Sequence, residues 1–461
     1  MYGMPAIRKR KTKLHFTFTN SAQATAHGGQ ILVDALCRRF DLWKKLDQIH
    51  SLDPRTRKGS GFAPSAWIGQ FLFTLASGGV SLADAERLAQ DRVLLDLIGL
   101  SKGADQTTLG EFLRGQTKES VLALQELNAQ FVDWVWLRTP QGRLLHAGQT
   151  EYFFDDTEVE VQGRKIEGAR LNYEGNLALS WQVLWKGPFI LDQQLDGASD
   201  VSEHLPSFLS EHQPRWAKEK AYLYTDSASS GARFVNAIDQ AGFLRWSVSY
   251  NKWTEKLDKL AAELPEAQWS PQMPTDLKEQ KEPIEQYAWV RHQPGECART
   301  HTFAVVRRRQ PGEMFYRYAF VLTQAGEVKD PQAIFERHQL KGAKEQGFSQ
   351  VLSDLDLHHP PCLELIANQA FYALATLAYN ILTALRVLEL PDEAQGWRVR
   401  TIIRHLLTVP VTVSRHARYE RAKICIPAGW MKWWRLYFHH WVPKRKAGRP
   451  SLEEVDSLSS G

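Results

Sequence analysis

The chain has 461 residues, 43% hydrophobic and 24% charged, which excludes a disordered or low-complexity protein and leaves room for two to four modules of about 100–200 residues each. Its four cysteines, Cys37, Cys297, Cys362 and Cys425, form no CxxC pair, which argues against a disulfide framework or a cysteine-based zinc site and fits a reducing cytoplasm. The net charge of +5 is modest, but the basic residues gather at the two ends.

Residues 1–27 form a basic arm in which Arg8, Lys9, Arg10, Lys11 and Lys13 precede any acid, with no apolar stretch of the kind a secretory leader needs. Residues 28–140 are predicted to be helical. "GGQILVDALCRRFDLWKKLDQI" and "PSAWIGQFLFTLASGGVSLADAERLAQDRVLLDLIGL" space their apolar residues by three and four, broken at Gly78-Gly79, and "GADQTTLGEFLRG" supplies a turn, an N-cap and a short helix. A DNA-binding helix-turn-helix and a dimerisation module suit this segment equally.

From residue 148 the periodicity shifts to strands. "TEYFFDDTEVEV", "NLALSWQVLW" and "PFILDQQLDG" predict a meander. A helix over "VSEHLPSFLSEHQPRW", the strand "KAYLYTD", the helix "ARFVNAIDQAG" and the strand "LRWSVSYN" follow. Alternation of this kind implies a mixed α/β sheet. Residues 252–315 read as a β-rich insertion, polar and proline-containing at first and then paired as "YAWVRHQ" and "TFAVVRRRQ". The strand "MFYRYAFVLTQ", a helix starting at Asp330 or Pro331, and the long apolar helix "CLELIANQAFYALATLAYNILTALRVL" complete a core predicted to span 148–388. Residues 391–445 form a small basic module, with strand-like "PVTVSRHARYERAKICIP" before the cluster "WMKWWRLYFHHW", read chiefly as core. Residues 446–461 are a predicted flexible tail. From Arg398 onward there are 13 Lys or Arg against 4 Asp or Glu, and such basic ends suit contacts to nucleic-acid phosphates.

Three acids occupy costly places. Asp155 follows an aromatic strand, Asp226 ends "AYLYTD", and Glu345 sits within a helix. A lone buried carboxylate is unfavourable unless a cation or hydrogen-bond donors compensate it, and Mg²⁺, which takes carboxylate oxygens and water, is one such cation. Each position also has a plain structural reading: Asp155 and Asp156 as the start of a loop, Asp226 as an Asx-turn cap, Glu345 as a solvated helix residue. Strand alternation gives Asp155 and Asp156 opposite faces, so that only one of them should aim at a metal.

Together, "DDTEVEVQG", "LYTDSASSG", "YRYAFVLTQ" and "HQLKGAKEQGFSQVLSDLDLHHPPC…NQAFYALATLAYNIL" resemble the DDE transposases of bacterial insertion sequences, in the cut-and-paste branch with a β-rich insertion between the second and third acids. The similarity covers most of the chain. It implies an RNase H-like mixed sheet with a β-rich insertion, plus an N-terminal all-helical domain and a small basic C-terminal module. It implies the metal-holding acids Asp155 (in an Asp-x-Thr pattern, with Asp156 as the alternative), Asp226 and Glu345. The family's Tyr-x2-Arg-x3-Glu-x6-Lys helix signature falls on His338, Lys341, Glu345 and Leu352, so the arginine position keeps its charge while the tyrosine and lysine positions depart. Two Mg²⁺ ions, with Mn²⁺ as a possible substitute, would support phosphodiester hydrolysis and transesterification at the element's ends. The implied partners are double-stranded DNA, namely terminal inverted repeats and target DNA, and further copies of the chain in a dimer or higher assembly, with no membrane. The implied location is the bacterial cytoplasm, at the nucleoid. DNA contacts are expected from Lys341, His338, Arg8, Lys9, Arg10, Lys11, and the tail residues Lys444, Arg445, Lys446 and Arg449, where "PKRKAGRPS" resembles a minor-groove AT-hook.

Two other functions suit parts of this pattern. A transposase-derived DNA-binding regulator would account for His338 and Leu352, and a glycoside hydrolase would use paired carboxylates beside the 16 tryptophans. His358-His359 and His439-His440 lack the partners a zinc site requires, and no P-loop motif occurs.

Overall fold

A computed structural model describes residues 23–431 and 434, apart from 54, 56–60, 164, 173, 198–201, 252–253, 272–283, 311, 325–329 and 417–418. The N-terminal helices are α1 (Gln30–Arg39), α2 (Leu42–Gln48), α3 (Pro64–Ala76), α4 (Leu82–Leu88), α5 (Arg92–Ile98), α6 (Gln106–Arg114) and α7 (Lys118–Trp136). Side chains start four of them. Ser81, Asp91, Asp105 and Thr117 each accept the backbone N–H three residues on, which satisfies a donor that the first helical turn leaves unpaired.

The central sheet begins with the predicted meander, β1 (Thr150–Glu160), β2 (Leu177–Lys186) and β3 (Phe189–Gly197), all antiparallel neighbours. Helix α8 (Leu205–Trp216) leads to β4 (Ala221–Thr225), which pairs parallel with β1, and α9 (Ala232–Gln240) leads to β5 (Arg245–Tyr250), parallel with β4. The resulting order β3-β2-β1-β4-β5 is consistent with an RNase H-like fold.

After α10 (Glu255–Ala262), strands β6 (Ile284–His292), β7 (His301–Arg309) and β8 (Arg317–Thr323) pair antiparallel in sequence, and β8 also pairs antiparallel with β5. The strands β6 and β7 of the segment read as an insertion thus join the central sheet through β8. They continue the central sheet beyond β5, because the edge that β5 exposes is covered by β8 and the two strands behind it.

The chain then runs through α11 (Pro331–His338), a tight turn, α12 (Ala343–Ser349) and a π-helical turn over Gln350–Asp354 to α13 (Leu365–Glu389). Asp330 caps α11 and Pro331 fills its first position, so both start signals act together. Helix α13 is long and apolar enough to cross a membrane by length and composition, yet 94% of its most apolar window is buried inside this fold. It packs against α3, α7 and β3. Its buried amides are used: Asn380 accepts from the Ile190 N–H at 3.0 Å and donates to the Ile190 carbonyl and to Asn128 Oδ1 at 2.7 Å each, and Asn368 accepts the Cys362 N–H at 3.0 Å and donates to the Cys362 carbonyl at 2.9 Å. The helical segment, the sheet and α13 thus share one continuous apolar core.

Near the C-terminus, α14 (Val399–Ile402) precedes the hairpin β9 (Val411–His416) and β10 (Tyr419–Ile424). Residues 24–25 add a third strand by pairing with β9, which joins the two ends of the described chain. The approach is close. A Cβ on Gly29 would lie 1.8 Å from the Leu406 carbonyl oxygen and 2.6 Å from the Leu407 Cα, both backbone atoms that cannot swing aside. Gly29→Ala is expected to lower stability by about 3 kcal/mol, the upper range for overpacking. A thermal melt checks this, and an unchanged midpoint would contradict the close docking.

Candidate active site

Burial along β1 changes where the acids begin: Thr150 to Phe154 are buried, whereas Asp155, Asp156, Thr157 and Glu158 are half-buried. The change follows from topology. Strand β4 pairs with β1 as far as Phe154 opposite Thr225 and then ends, so Asp155 and Asp226 are the next residues of two adjacent parallel strands. The pairing of Phe153 with Tyr224, whose rings stack 4.9 Å apart, gives Asp155 and Asp226 the same face of the sheet. Asp226 caps the turn Ser227–Ser230 by accepting the Ala228 N–H at 2.9 Å. The Asx-turn role and a place in the acidic group are compatible, because one oxygen serves the turn.

Asp156 joins them. One carboxylate oxygen from each of Asp155, Asp156 and Asp226 lies within 4.8 Å of the others. Alternation alone allows only one of the two neighbours to aim there. Beyond Thr225, however, β1 has no parallel neighbour on that side, so side chains from both faces flank the same gap. Burial, then the charges of Asp226 and Asp155, push the Asp156 carboxyl up to about 7. Asp155 is also raised by burial, opposed by Lys341, whose Nζ lies 2.9 Å from Asp155 Oδ2.

The helices on this face are docked by polar contacts. Arg337 donates through Nε to the Tyr224 hydroxyl at 2.6 Å and through Nη2 to Glu151 Oε1 at 3.1 Å, and its guanidinium lies 4.5 Å from the centre of the Tyr222 ring. His338 is buried, with its ring nitrogens 2.8 Å from the Ser247 hydroxyl and 2.7 Å from the Ser249 hydroxyl. Burial, and secondarily Lys341, hold its pKa down to about 4, so the neutral ring pins α11 to β5 with no nitrogen left over for a phosphate. Next along the chain, Phe348 packs edge-on against Trp181 and Trp185, with ring centres 5.7 and 5.4 Å away. Gly347 permits that approach, since a Cβ there would meet the Trp185 ring at 2.9 Å.

Glu345, in the first turn of α12, is exposed and is not among the three acids that cluster within 4.8 Å. Leu352 is buried in the π-helical turn and supplies no charge. Arg8, Lys9, Arg10, Lys11, Lys444, Arg445, Lys446 and Arg449 lie outside the described residues, as does the AT-hook-like segment. Of the aromatic cluster, Trp430 stacks on His405 at 3.9 Å and Trp434 is buried, so both serve packing.

A second cluster, Asp192, Glu211 and His212, was not signalled by the sequence. His212 Nε2 lies 2.6 Å from Asp192 Oδ2 and its Nδ1 lies 2.9 Å from an Arg215 nitrogen, so both ring nitrogens are taken. Arg215 continues to Asp133 at 3.0 Å, and the buried Lys186 lies 3.6 Å from Asp133 and 2.7 Å from Glu219. This chain of charges ties α7 and α8 to the sheet. Its residues are scattered over 133–219 with no shared spacing, which is why no motif betrays it.

Among the residues that converge, the donor set of Asp155, Asp156 and Asp226 is all oxygen and carries more negative charge than Lys341 offsets. That chemistry fits a hard divalent cation. No curated protein matches the sequence. A family model, described as transposase DDE domain group 1, matches residues 6–438. An acidic pair at the ends of adjacent parallel strands, inside a match that covers nearly the whole sequence, identifies the chain as a member of the DDE transposase family.

Proposed function

We propose that the protein cuts and joins the DNA ends of a bacterial insertion sequence by phosphodiester hydrolysis followed by transesterification. Asp155, Asp226 and Glu345 form its acid triad, and the cofactor is Mg²⁺, as two ions, with Mn²⁺ as a substitute. The observation that carries this reading is the meeting of Asp155 and Asp226 at the ends of β1 and β4 within a family whose members act on DNA.

Asp155 and Asp226 would hold the divalent ions, with Asp156 beside them and Glu345 brought in from α12. Bound there, such ions supply Lewis-acid activation of the attacking oxygen and stabilise the leaving one. The protein's own part is positional. The Ala228 N–H fixes the Asp226 carboxylate, and the Ser247–His338–Ser249 bridge with the Arg337–Tyr224–Glu151 contacts fix α11, which leads into the turn that carries Lys341. Lys341 balances Asp155 and stands where a phosphate oxygen of the substrate would need a cation. Terminal inverted repeats and target DNA are the substrates of this reading, and bringing two ends together calls for a dimer or higher assembly.

A second reading, a DNA-binding regulator without strong cleavage, draws on one observation: Glu345 stands outside the acidic cluster. One experiment separates the two. Duplex DNA carrying the sequences that flank the gene is incubated with the native chain in Mg²⁺ or in chelator. Mg²⁺-dependent strand cutting is expected, and salt-sensitive binding with no cutting in either Mg²⁺ or Mn²⁺ would favour the regulator.

A further inference from the structure

The end of the helix that carries Glu345 is gripped by two arginines from a distant part of the chain. Asp354 closes the π-helical turn after α12, and its side chain is only 1% exposed. Arg398 reaches it through Nε at 3.3 Å and Nη2 at 3.2 Å, and Arg400 through its backbone N–H and Nη2, both at 3.2 Å. Arg398 Nη2 also donates to the Ser349 hydroxyl at 3.0 Å, and Arg400 Nη2 to the Ser353 carbonyl at 2.9 Å.

The charges do not balance. Two guanidinium groups face one carboxylate, and the two arginine side chains remain 47% and 50% exposed. Each guanidinium carries five N–H donors in a fixed fork. The contacts above use Nε and Nη2 of Arg398 and Nη2 of Arg400, so among the described residues Nη1 of both and Nε of Arg400 have no partner. A structural clamp for one buried acid would need a single arginine. The second leaves a net positive charge that points at solvent.

The position of that charge matters. Ser349, which Arg398 touches, lies four residues beyond Glu345 on the same helix, and residues so spaced are neighbours on one face, about 5–6 Å apart at Cβ. Lys341, four residues before Glu345, is already at Asp155. The acid is thus bracketed by a cation on each side, and the bracket on the far side comes from the C-terminal module.

We propose that Arg398 and Arg400 form a phosphate-binding site for the DNA backbone, one helical turn beyond Glu345, with Asp354 holding the two forks in place. This rests on the DNA-transposase reading. Arginine forks match phosphate oxygens bidentately, and both side chains are about half exposed at the end of the helix that bears Glu345. The site also explains why basic charge in the C-terminal module is coupled to the acid-bearing helix.

The test measures binding of a labelled duplex by fluorescence anisotropy over a salt series. Each lost phosphate contact makes the log–log salt dependence shallower by about 0.9. The combined variant Asp354→Asn/Arg398→Gln/Arg400→Gln removes all three charges and so leaves no unpaired buried acid. Its slope is expected to be shallower than native by about 1–2, with a melting midpoint near native. Asp354→Asn alone keeps a carbonyl oxygen to hold the forks but removes the charge that offsets them, and is expected to tighten binding. A native slope in the combined variant would overturn the site, and so would weaker binding by Asp354→Asn, which is what a purely structural clamp predicts. If the combined variant fails to fold, the sign of the Asp354→Asn effect decides. A native chain whose binding ignores salt would overturn the DNA reading itself, and this site with it.

Discussion

Asp226→Asn is expected to lower Mg²⁺-dependent DNA cutting by at least about 1,000-fold while leaving the fold intact. The carbonyl oxygen of asparagine can still accept the Ala228 N–H, so the turn after β4 survives. What disappears is one of the negative charges that hold the cation. Lewis-acid stabilisation at such a site is worth several kcal/mol, and about 4 kcal/mol corresponds to roughly 1,000-fold in rate. Stability should rise rather than fall without metal, because Asp226 is one of the charges that disfavour ionised Asp156. A variant that cuts at near-native rate would remove Asp226 from the site. Glu345→Gln separates the acids further: a comparable loss supports its place in the triad, and full activity would leave the three aspartates as the whole ligand set.

Local patterning carried much of this architecture. Period-two alternation located β1 to β3 and the strands around Asp226. The Asp330–Pro331 pair marked the start of α11, and the apolar run after Cys362 marked the buried α13. Such signals are legible because they depend on neighbours two to four residues apart. What escaped depends on partners far away. That β6 and β7 extend the central sheet is decided by β7 pairing with β8, and β8 with β5, some 70 residues earlier, which no local pattern within 252–315 announces. The joining of residues 24–25 to β9 spans nearly the whole chain.

The candidate site divides in the same way. Asp155 and Asp226 could be singled out because a carboxylate at the end of an aromatic strand is costly wherever the strand sits. Asp156 enters from sequence only as the alternative to Asp155, by a rule that holds inside a sheet, whereas at the edge that opens where β4 stops both carboxylates join Asp226. The family resemblance implies a DNA contact for His338, but two serines of β5 claim its ring. Arg398 and Arg400 looked like ordinary members of a basic end. Only the fold brings them to Asp354, more than 40 residues before them in the chain.

Asp156→Asn is expected to change the pH dependence of stability in the metal-free chain. In the folded protein the Asp156 carboxyl is pushed up to about 7 from its ordinary 3.8. Between these values the folded chain holds a proton that the unfolded chain has released, so this group's contribution falls as pH rises from about 4 to about 7. About three pKa units correspond to on the order of 4 kcal/mol, shared among coupled carboxylates rather than owned by one. His338 acts in the opposite sense. Its folded pKa, about 4, lies below the ordinary 6.5, so it adds stability as pH rises through nearly the same window. The native curve should therefore be flat, and the difference between native and variant isolates the acid. The two chains should melt together near pH 4, with the variant several degrees higher at pH 8 in chelator. Added Mg²⁺ should narrow that gap by stabilising the native chain more, since a divalent cation favours the ionised acids. Parallel curves with and without Mg²⁺ would show that Asp156 neither carries the raised pKa nor faces the cation.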